Sequence, residues 1–258
     1  MIIDSHAHIG KFNKRIWSSK ELLASMDKAG VKTSVVVDMS GEQKTEDVVE
    51  AAKKFPRKIK AVGAFGYYSK AKKTKELKNL VEKKLIAGVK LYPGYEQFYP
   101  ADKKIFPLYE FCVKTKTPVI FHAGVLENSS PGILKYSHPL GIDELAFHFP
   151  KLNIIIAHLG NPWVVDCAAI VKKNKNVYAD LSGYFTEYIS ISKAETKDFL
   201  WDLDLFRSWT GDFKKVLFGT DWPIYSQKEY LEVAELLPMA KEEKDLVFWK
   251  NAKTLFRI

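Results

Sequence analysis

Cysteine is nearly missing from this chain: only Cys112 and Cys167 occur in 258 residues. They lie far apart in segments with helical spacing, which excludes a disulfide framework and reads as two reduced, buried thiols of a cytoplasmic protein. No apolar run approaches the roughly 20 residues needed to cross a bilayer, so no membrane association is expected. The opening Met1-Ile2-Ile3-Asp4 has no basic stretch ahead of an apolar core, so no secretory signal is expected either. Glycine- and proline-rich tracts are absent, which leaves no candidate linker. Residues 1–258 are therefore expected to form a single domain, long enough for a substantial core.

What is present is ordinary for a soluble enzyme, 47% hydrophobic and 28% charged, with a formal charge of +9. A basic balance admits anionic ligands or nucleic acid. Here, however, the lysines are spread along the chain (Lys70, Lys72, Lys73 and Lys75, then Lys172, Lys173 and Lys175) and form no stripe with interleaved aromatics. They read as a solvated surface, and no nucleic-acid partner is expected. The expected partner is a small-molecule substrate, and a homo-oligomer is compatible with the composition.

Eight short aliphatic or β-branched runs punctuate the sequence. They are Ile2–Ile9, Thr33–Met39, Ile59–Phe65, Gly88–Tyr92, Val119–Ala123, Ile154–His158, Val177–Leu181 and Val216–Asp221. Segments of helical spacing, such as Leu22, Leu23 and Met26, separate them. A strand followed by a helix, about eight times over, is the pattern of an α/β protein of the (β/α)8 TIM-barrel class. The connections into the strands are short (Gly30–Lys32, Lys116–Thr117). Those leaving them are long (Gly10–Ser18, Gly94–Lys103, Gly124–Pro139, Gly183–Ala194), which places a functional site at the C-terminal strand ends. The tail from Lys241 to Ile258 reads as a closing helix.

Histidine is also scarce, six residues in all, yet four of them end one of these runs. Period-two alternation turns His6 and His8 to one face of the first strand. With His122 from the fifth run and Asp221 from the eighth, they compose a site for a divalent metal with an open coordination position. Asp221 could instead cap a following helix, but Trp222-Pro223 follows it directly. His158, ending the sixth run, suits a ligand or an acid–base group, and a packed core histidine is its plain alternative. Lys90 and Tyr92 share a face of the fourth strand. A lysine there must pair with a carboxylate, bind an anionic substrate group, or lose its charge by carbamylation. Asp4, two positions before His6, is a candidate to orient a ligand imidazole. His138 lies in the long loop after the fifth strand, within possible reach of substrate, and His148 reads as structural. Tyr92, Tyr95, Phe98, Tyr99, Tyr184, Phe185 and Trp222 sit at or beyond strand ends, where they line a pocket or pack structurally.

Five segments resemble those of the amidohydrolase superfamily, and within it the amidohydrolase-2 group. They are Asp4-Ser5-His6-Ala7-His8-Ile9-Gly10, Gly88-Val89-Lys90-Leu91-Tyr92-Pro93, Phe121-His122-Ala123-Gly124, Ala157-His158-Leu159-Gly160-Asn161-Pro162-Trp163 and Phe218-Gly219-Thr220-Asp221-Trp222-Pro223. The ending Asn251-Ala252-Lys253-Thr254-Leu255-Phe256 is similar too. The resemblance implies metal ligands at His6, His8, His122 and Asp221, and an active-site role or a second-metal role for His158. It implies one ion, most simply Zn²⁺, or two if Lys90 is carbamylated.

The function so implied is a metal-dependent hydrolase acting on an ester, lactone or amide, with Asp221 and His158 catalytic and Lys90, Tyr92 and Trp222 binding substrate. The alternative is non-oxidative decarboxylation of an unsaturated or aromatic carboxylate. A TatD-like deoxyribonuclease and a non-catalytic metal-binding barrel are the remaining readings. The nuclease family resembles a variant with glutamate where Lys90 stands.

Overall fold

The computed structural model describes residues 1–12, 15–38, 45–128, 130–185 and 190–258. Eight strands lie side by side in one parallel sheet, in chain order. They are β1 (Ile3–Ala7), β4 (Thr33–Val37), β5 (Ile59–Ala64), β6 (Gly88–Leu91), β7 (Val119–Phe121), β8 (Ile154–Ile156), β9 (Val177–Asp180) and β10 (Val216–Leu217). The end of the sheet returns to its start. Ser5 N–H donates to Phe218 O at 2.8 Å, Asp221 N–H to His6 O at 2.8 Å, and His8 N–H to Trp222 O at 2.6 Å. The result is a nearly closed barrel with helices between its strands.

Each predicted run holds one strand, but several strands stop early. The run Thr33–Met39 ends as strand at Val37, and Met39 lies outside the described residues. The sixth and eighth runs leave extended geometry at His158 (φ 60°) and Asp221 (φ 66°), both left-handed. Such φ values are costly for residues with a Cβ and cluster at functional sites.

Side chains on the strands alternate between two cores, as period-two geometry demands. Ile3, Val35, Val37, Val62, Ile120, Ile155 and Leu217 form the inner cluster, which Ala252, Leu255 and Phe256 join from the chain's last helix. Val36, Val89, Val119, Phe121, Ile154, Ile156 and Val177 belong to the larger cluster that the surrounding helices cover. Burying one such side chain contributes about 1.5–3 kcal/mol. Counting on in twos along the inner face, Val89 outside puts Lys90 inside, Ile120 leads to His122, and Tyr178 leads to Asp180. The inner face thus changes from apolar to polar at the C-terminal ends of β6, β7 and β9.

The helices start and stop where their sequences say. In Ser19–Ala29, Ser18 Oγ accepts from Glu21 N–H at 3.3 Å while the Glu21 carboxylate accepts from Ser18 N–H at 2.8 Å. This reciprocal cap satisfies two otherwise orphaned donors, and left-handed Gly30 closes the helix (φ 71°). Ser192 and Glu195 repeat the device at the head of Lys193–Thr210. The tail is helical as expected, with a π-turn at Leu246–Lys250 between Lys241–Asp245 and Asn251–Phe256. Among the described residues, no helix is long and apolar enough to cross a membrane. Cys112 and Cys167 are buried and unbridged.

One connection is more than a plain loop. Gly10–Ser18 carries an antiparallel hairpin, β2 (Gly10–Phe12) and β3 (Arg15–Trp17). Its reason is local: Ile16 and Trp17 favour extended backbone, and Trp17 packs edge-on against Trp222 with ring centroids 5.5 Å apart.

Candidate metal centre

His6 and His8 both reach one oxygen. His8 Nε2 lies 3.0 Å and His6 Nε2 3.7 Å from Asp221 Oδ1. The register of β1 against β4 slips between Asp4 and Ala7, at the stretch that holds His6. Asp221 is delivered by the chain beyond β10, where Thr220 and Asp221 N–H both donate to His6 O. Residues separated by more than two hundred positions therefore converge within the buried mouth of the barrel.

Acceptor-only neighbours decide where each imidazole carries its proton. His8 Nδ1–H donates to Val37 O at 2.7 Å, and His6 Nδ1–H to Asp180 Oδ2 at 2.9 Å. His158 Nδ1–H donates to Ser182 O at 3.1 Å. His122 is oriented the other way: Nε2–H donates to Val125 O at 3.0 Å, which leaves Nδ1 as its lone pair. Its ring centroid is 5.1 Å from that of His158 and 4.9 Å from Tyr95. His122 thus borders the cluster, while His6, His8 and Asp221 bring their ligand atoms within 4.8 Å of one another.

Lys90 is fully buried, and its Nζ has no hydrogen-bond partner among the described residues. It stands 5.2 Å from the centroid of the Tyr92 ring. Burial pushes the Lys90 ammonium down to about 8, against the pull of Asp180 and Asp221. Tyr92 directs its hydroxyl to Asp38 O at 2.5 Å and stacks its ring on His122. Trp222 is buried beside the hairpin.

Burial, followed by the Lys90 charge, lowers the His6 imidazole to about 4. His122 is lowered by burial and by His158, and His158 by burial with Lys90 adding to it. For Asp221, burial opposes ionisation, but the His8 hydrogen bond and the neighbouring imidazoles outweigh it and hold the carboxyl low. Burial opposes ionisation of Asp180 too, and His6, His158 and Lys90 outweigh it there. The imidazoles of His6, His122 and His158 are therefore held neutral, and the carboxylates of Asp180 and Asp221 ionised.

Several expectations change. The Asp4 carboxylate accepts from His6 N–H (3.1 Å), Thr220 N–H (3.1 Å), Thr220 Oγ1 (2.7 Å) and Gln227 Nε2 (2.6 Å). It staples β1 to the end of the barrel and does not orient the His6 ring; Asp180 does that. For His158, a proton on Nδ1 makes its Nε2 an acceptor. His138 lies away from the cluster, 4.5 Å from Trp163 and 3.9 Å from Asp166, and His148 packs beside Phe106 on the last turn of its helix. Tyr184 and Phe185 pack on Phe199, Phe98 stacks on Tyr67, and Tyr99 meets Tyr136. Only Tyr92, Tyr95 and Trp222 of the aromatic set stay beside the histidines. Sequence reasoning missed Asp180 and Ser182, although Asp180 ends an apolar strand just as the histidines do.

The donor set fits a divalent cation. His6 Nε2 is a buried lone pair with no hydrogen-bond partner among the described residues. His8 Nε2 lies within hydrogen-bond distance of Asp221 Oδ1. A cation among the three atoms would take the place of a proton on that contact, and two imidazoles with a carboxylate leave coordination positions open. In the second cluster, His6, His158 and Asp180, His6 Nδ1 is bonded to Asp180 Oδ2 and His158 Nδ1 to Ser182 O.

The family model described as Amidohydrolase, of the amidohydrolase-2 type, matches residues 3–258. No curated protein matches the chain. Among solved structures, an uncharacterized TIM-barrel protein from Bordetella bronchiseptica is 23% identical at a TM-score of 0.80, over 99% of this chain and 98% of that one. A probable 2-pyrone-4,6-dicarboxylic acid hydrolase from Acinetobacter baumannii, with citric acid bound, is 16% identical at 0.74, over 100% and 99%. A dihydroxybenzoic acid decarboxylase from Polaromonas, with manganese and the inhibitor 2-nitroresorcinol, is 16% identical at 0.72, over 99% and 96%. At these identities the solved structures speak for the barrel alone. The family match along nearly the whole sequence says more: the chain belongs to the amidohydrolase family, whose members are metal-dependent enzymes that include hydrolases and decarboxylases.

Proposed function

We propose that the protein is a metal-dependent hydrolase of an ester, lactone or amide bond in a small, carboxylate-bearing substrate. One observation carries this reading: His6 Nε2 and His8 Nε2 converge on Asp221 Oδ1 near the buried Lys90 ammonium, which has no hydrogen-bond partner among the described residues. His6, His8 and Asp221 would hold one ion, with His122 Nδ1 as a fourth donor. Zinc is the ion proposed first, and the manganese of the Polaromonas decarboxylase makes that ion the alternative. When bound, such an ion supplies Lewis acidity and brings the pKa of water from about 15.7 to about 7.

The remaining work falls to the chain. Asp221 directs Oδ1 at the imidazoles, while Oδ2 lies beside Gly183, close enough that a Cβ there would come within 2.8 Å. That second oxygen accepts the proton of the attacking water and returns it to the leaving group. Lys90 pairs with the substrate carboxylate, and Tyr92 and Trp222 flank it. His158 Nε2, unprotonated, accepts a proton from water or from a substrate hydroxyl.

This last property favours a second reading. An imidazole that takes a proton from a substrate hydroxyl and passes it to carbon would serve non-oxidative decarboxylation. The experiment is a panel of carboxylated lactones, esters and amides, run beside hydroxybenzoates, with protein loaded with zinc or manganese. Acid release without CO₂ supports hydrolysis, and CO₂ release supports the second reading. Inactivity on every member, despite stoichiometric bound metal, refutes both.

A further inference from the structure

We propose that Asp180 and Ser182 form a positioning unit that holds His6 and His158 as Nδ1–H tautomers, so that both Nε2 lone pairs face the centre. Asp180 is buried at the end of β9 and accepts from four donors. Its Oδ2 takes His6 Nδ1–H at 2.9 Å. Its Oδ1 takes His158 N–H and Ser182 N–H, each at 3.0 Å, and the Ser182 hydroxyl. Because that hydroxyl donates to Asp180, its oxygen presents lone pairs to His6 Nδ1 and His158 Nδ1, each 3.0 Å away. The Asp180 carboxylate and the Ser182 carbonyl only accept, and the Ser182 hydroxyl proton is committed to Asp180, so the imidazole protons have one place to go.

The same carboxylate pins the backbone of His158, whose left-handed φ of 60° needs outside support. The unit therefore joins β1 to the turn after β8 and sets the tautomer, direction and backbone of two histidines from one strand end. Both Asp180 oxygens are engaged in this way, so it supports the centre without ligating an ion.

That the lone pairs receive a metal rests on the function proposed above; the tautomers do not. The test uses metal-free protein with ¹⁵N-labelled histidine and long-range ¹H–¹⁵N spectra. His6 and His158 are expected to show protonated Nδ1 and bare Nε2. In Asp180→Asn the amide oxygen stays with the three Oδ1 donors, and its NH₂ turns to His6. His6 must then accept at Nδ1 and carry its proton on Nε2. The expected result is that tautomer switch, with a loss of about 10–100-fold in zinc or manganese affinity in chelator competition. Asp180→Glu, which keeps a carboxylate, is expected to retain the Nδ1–H form.

Nε2–H at His6 in the unsubstituted protein overturns the proposal, and that measurement needs no variant to fold. Native tautomers with unchanged affinity in Asp180→Asn overturn it as well. Nδ1–H tautomers in a protein that binds neither ion support the positioning unit and refute the metal reading separately.

Discussion

Replacing Lys90 with methionine removes a charge that the fold buries without a hydrogen-bond partner. Burial brings the Lys90 pKa from 10.5 to about 8. At about 1.4 kcal/mol per unit, the charged side chain costs the metal-free native state about 3 kcal/mol near neutrality. Methionine has similar length, fills irregular space and carries no charge. Lys90→Met is therefore expected to stabilise metal-free protein by up to about 3 kcal/mol at pH 7, roughly 6–12 °C for a chain of this size. The pH dependence gives the sharper check. The folded lysine releases its proton near pH 8 and the unfolded one near 10.5, so folding stability of the native chain rises with pH across that window. The advantage of Lys90→Met should be complete below pH 8 and vanish above 10.5. Urea denaturation of both proteins at pH 7, 9 and 10.5 measures it. The gain in stability should come with a raised KM for carboxylate substrates and unchanged metal content. Equal stability of the two proteins at pH 7 would refute the unpaired-ammonium argument, and unchanged KM would remove Lys90 from substrate binding.

Asp221→Asn should keep its far-UV circular dichroism and lose about 10²–10⁴ in kcat, the usual contribution of a positioned acid–base group; unchanged kcat would take Asp221 out of the mechanism. Gly183→Ala places a Cβ 2.5 Å from His158 Nδ1 and 2.8 Å from Asp221 Oδ2 at a φ of +59°. A destabilisation of roughly 1–3 kcal/mol is expected, together with lost turnover at temperatures where the variant is folded. A variant as active as the parent would mean that this close approach is absent in solution. Zinc or manganese at a hundredfold excess over its Kd should raise folding stability by about 2.7 kcal/mol. Melts that respond to neither ion would rule out a cation site in the folded state.

The barrel was legible because a buried parallel strand advertises itself as a short apolar run, and all eight runs contain one. The site was partly legible for the same reason. A histidine or aspartate closing such a run has nowhere to point but the barrel mouth. That rule applied equally to Asp180 in Val177–Leu181, yet a lone acidic residue without a neighbouring motif drew no attention. Ser182 carried no signal, since its role depends on a hydroxyl that two imidazoles share across elements. Asp4 was misassigned because period-two spacing specifies a face and not a partner. Thr220 and Gln227, from the far end of the chain, claimed its carboxylate. The proton positions of the histidines were unreadable in principle, because they follow from backbone carbonyls such as Val37 O, Val125 O and Ser182 O.

Charge balance ties these pieces into one argument. The Lys90 ammonium couples to the Asp180 and Asp221 carboxylates, and Asp4 and Asp38 are buried close by. Carboxylates thus outnumber the ammonium in a region where water cannot screen them. Under the proposed function a divalent cation offsets that excess and leaves the Lys90 charge for an anionic substrate, so each guest favours the other's binding. The same reasoning explains why Lys90 can stand without a hydrogen bond. A carboxylate supplied by the protein would satisfy it permanently and leave the loaded site without the charge that selects an anionic substrate. Under the proposed function, a buried ammonium without a hydrogen bond is thus the energetic cost of that selection, held at strand β6 by the stability of the barrel around it.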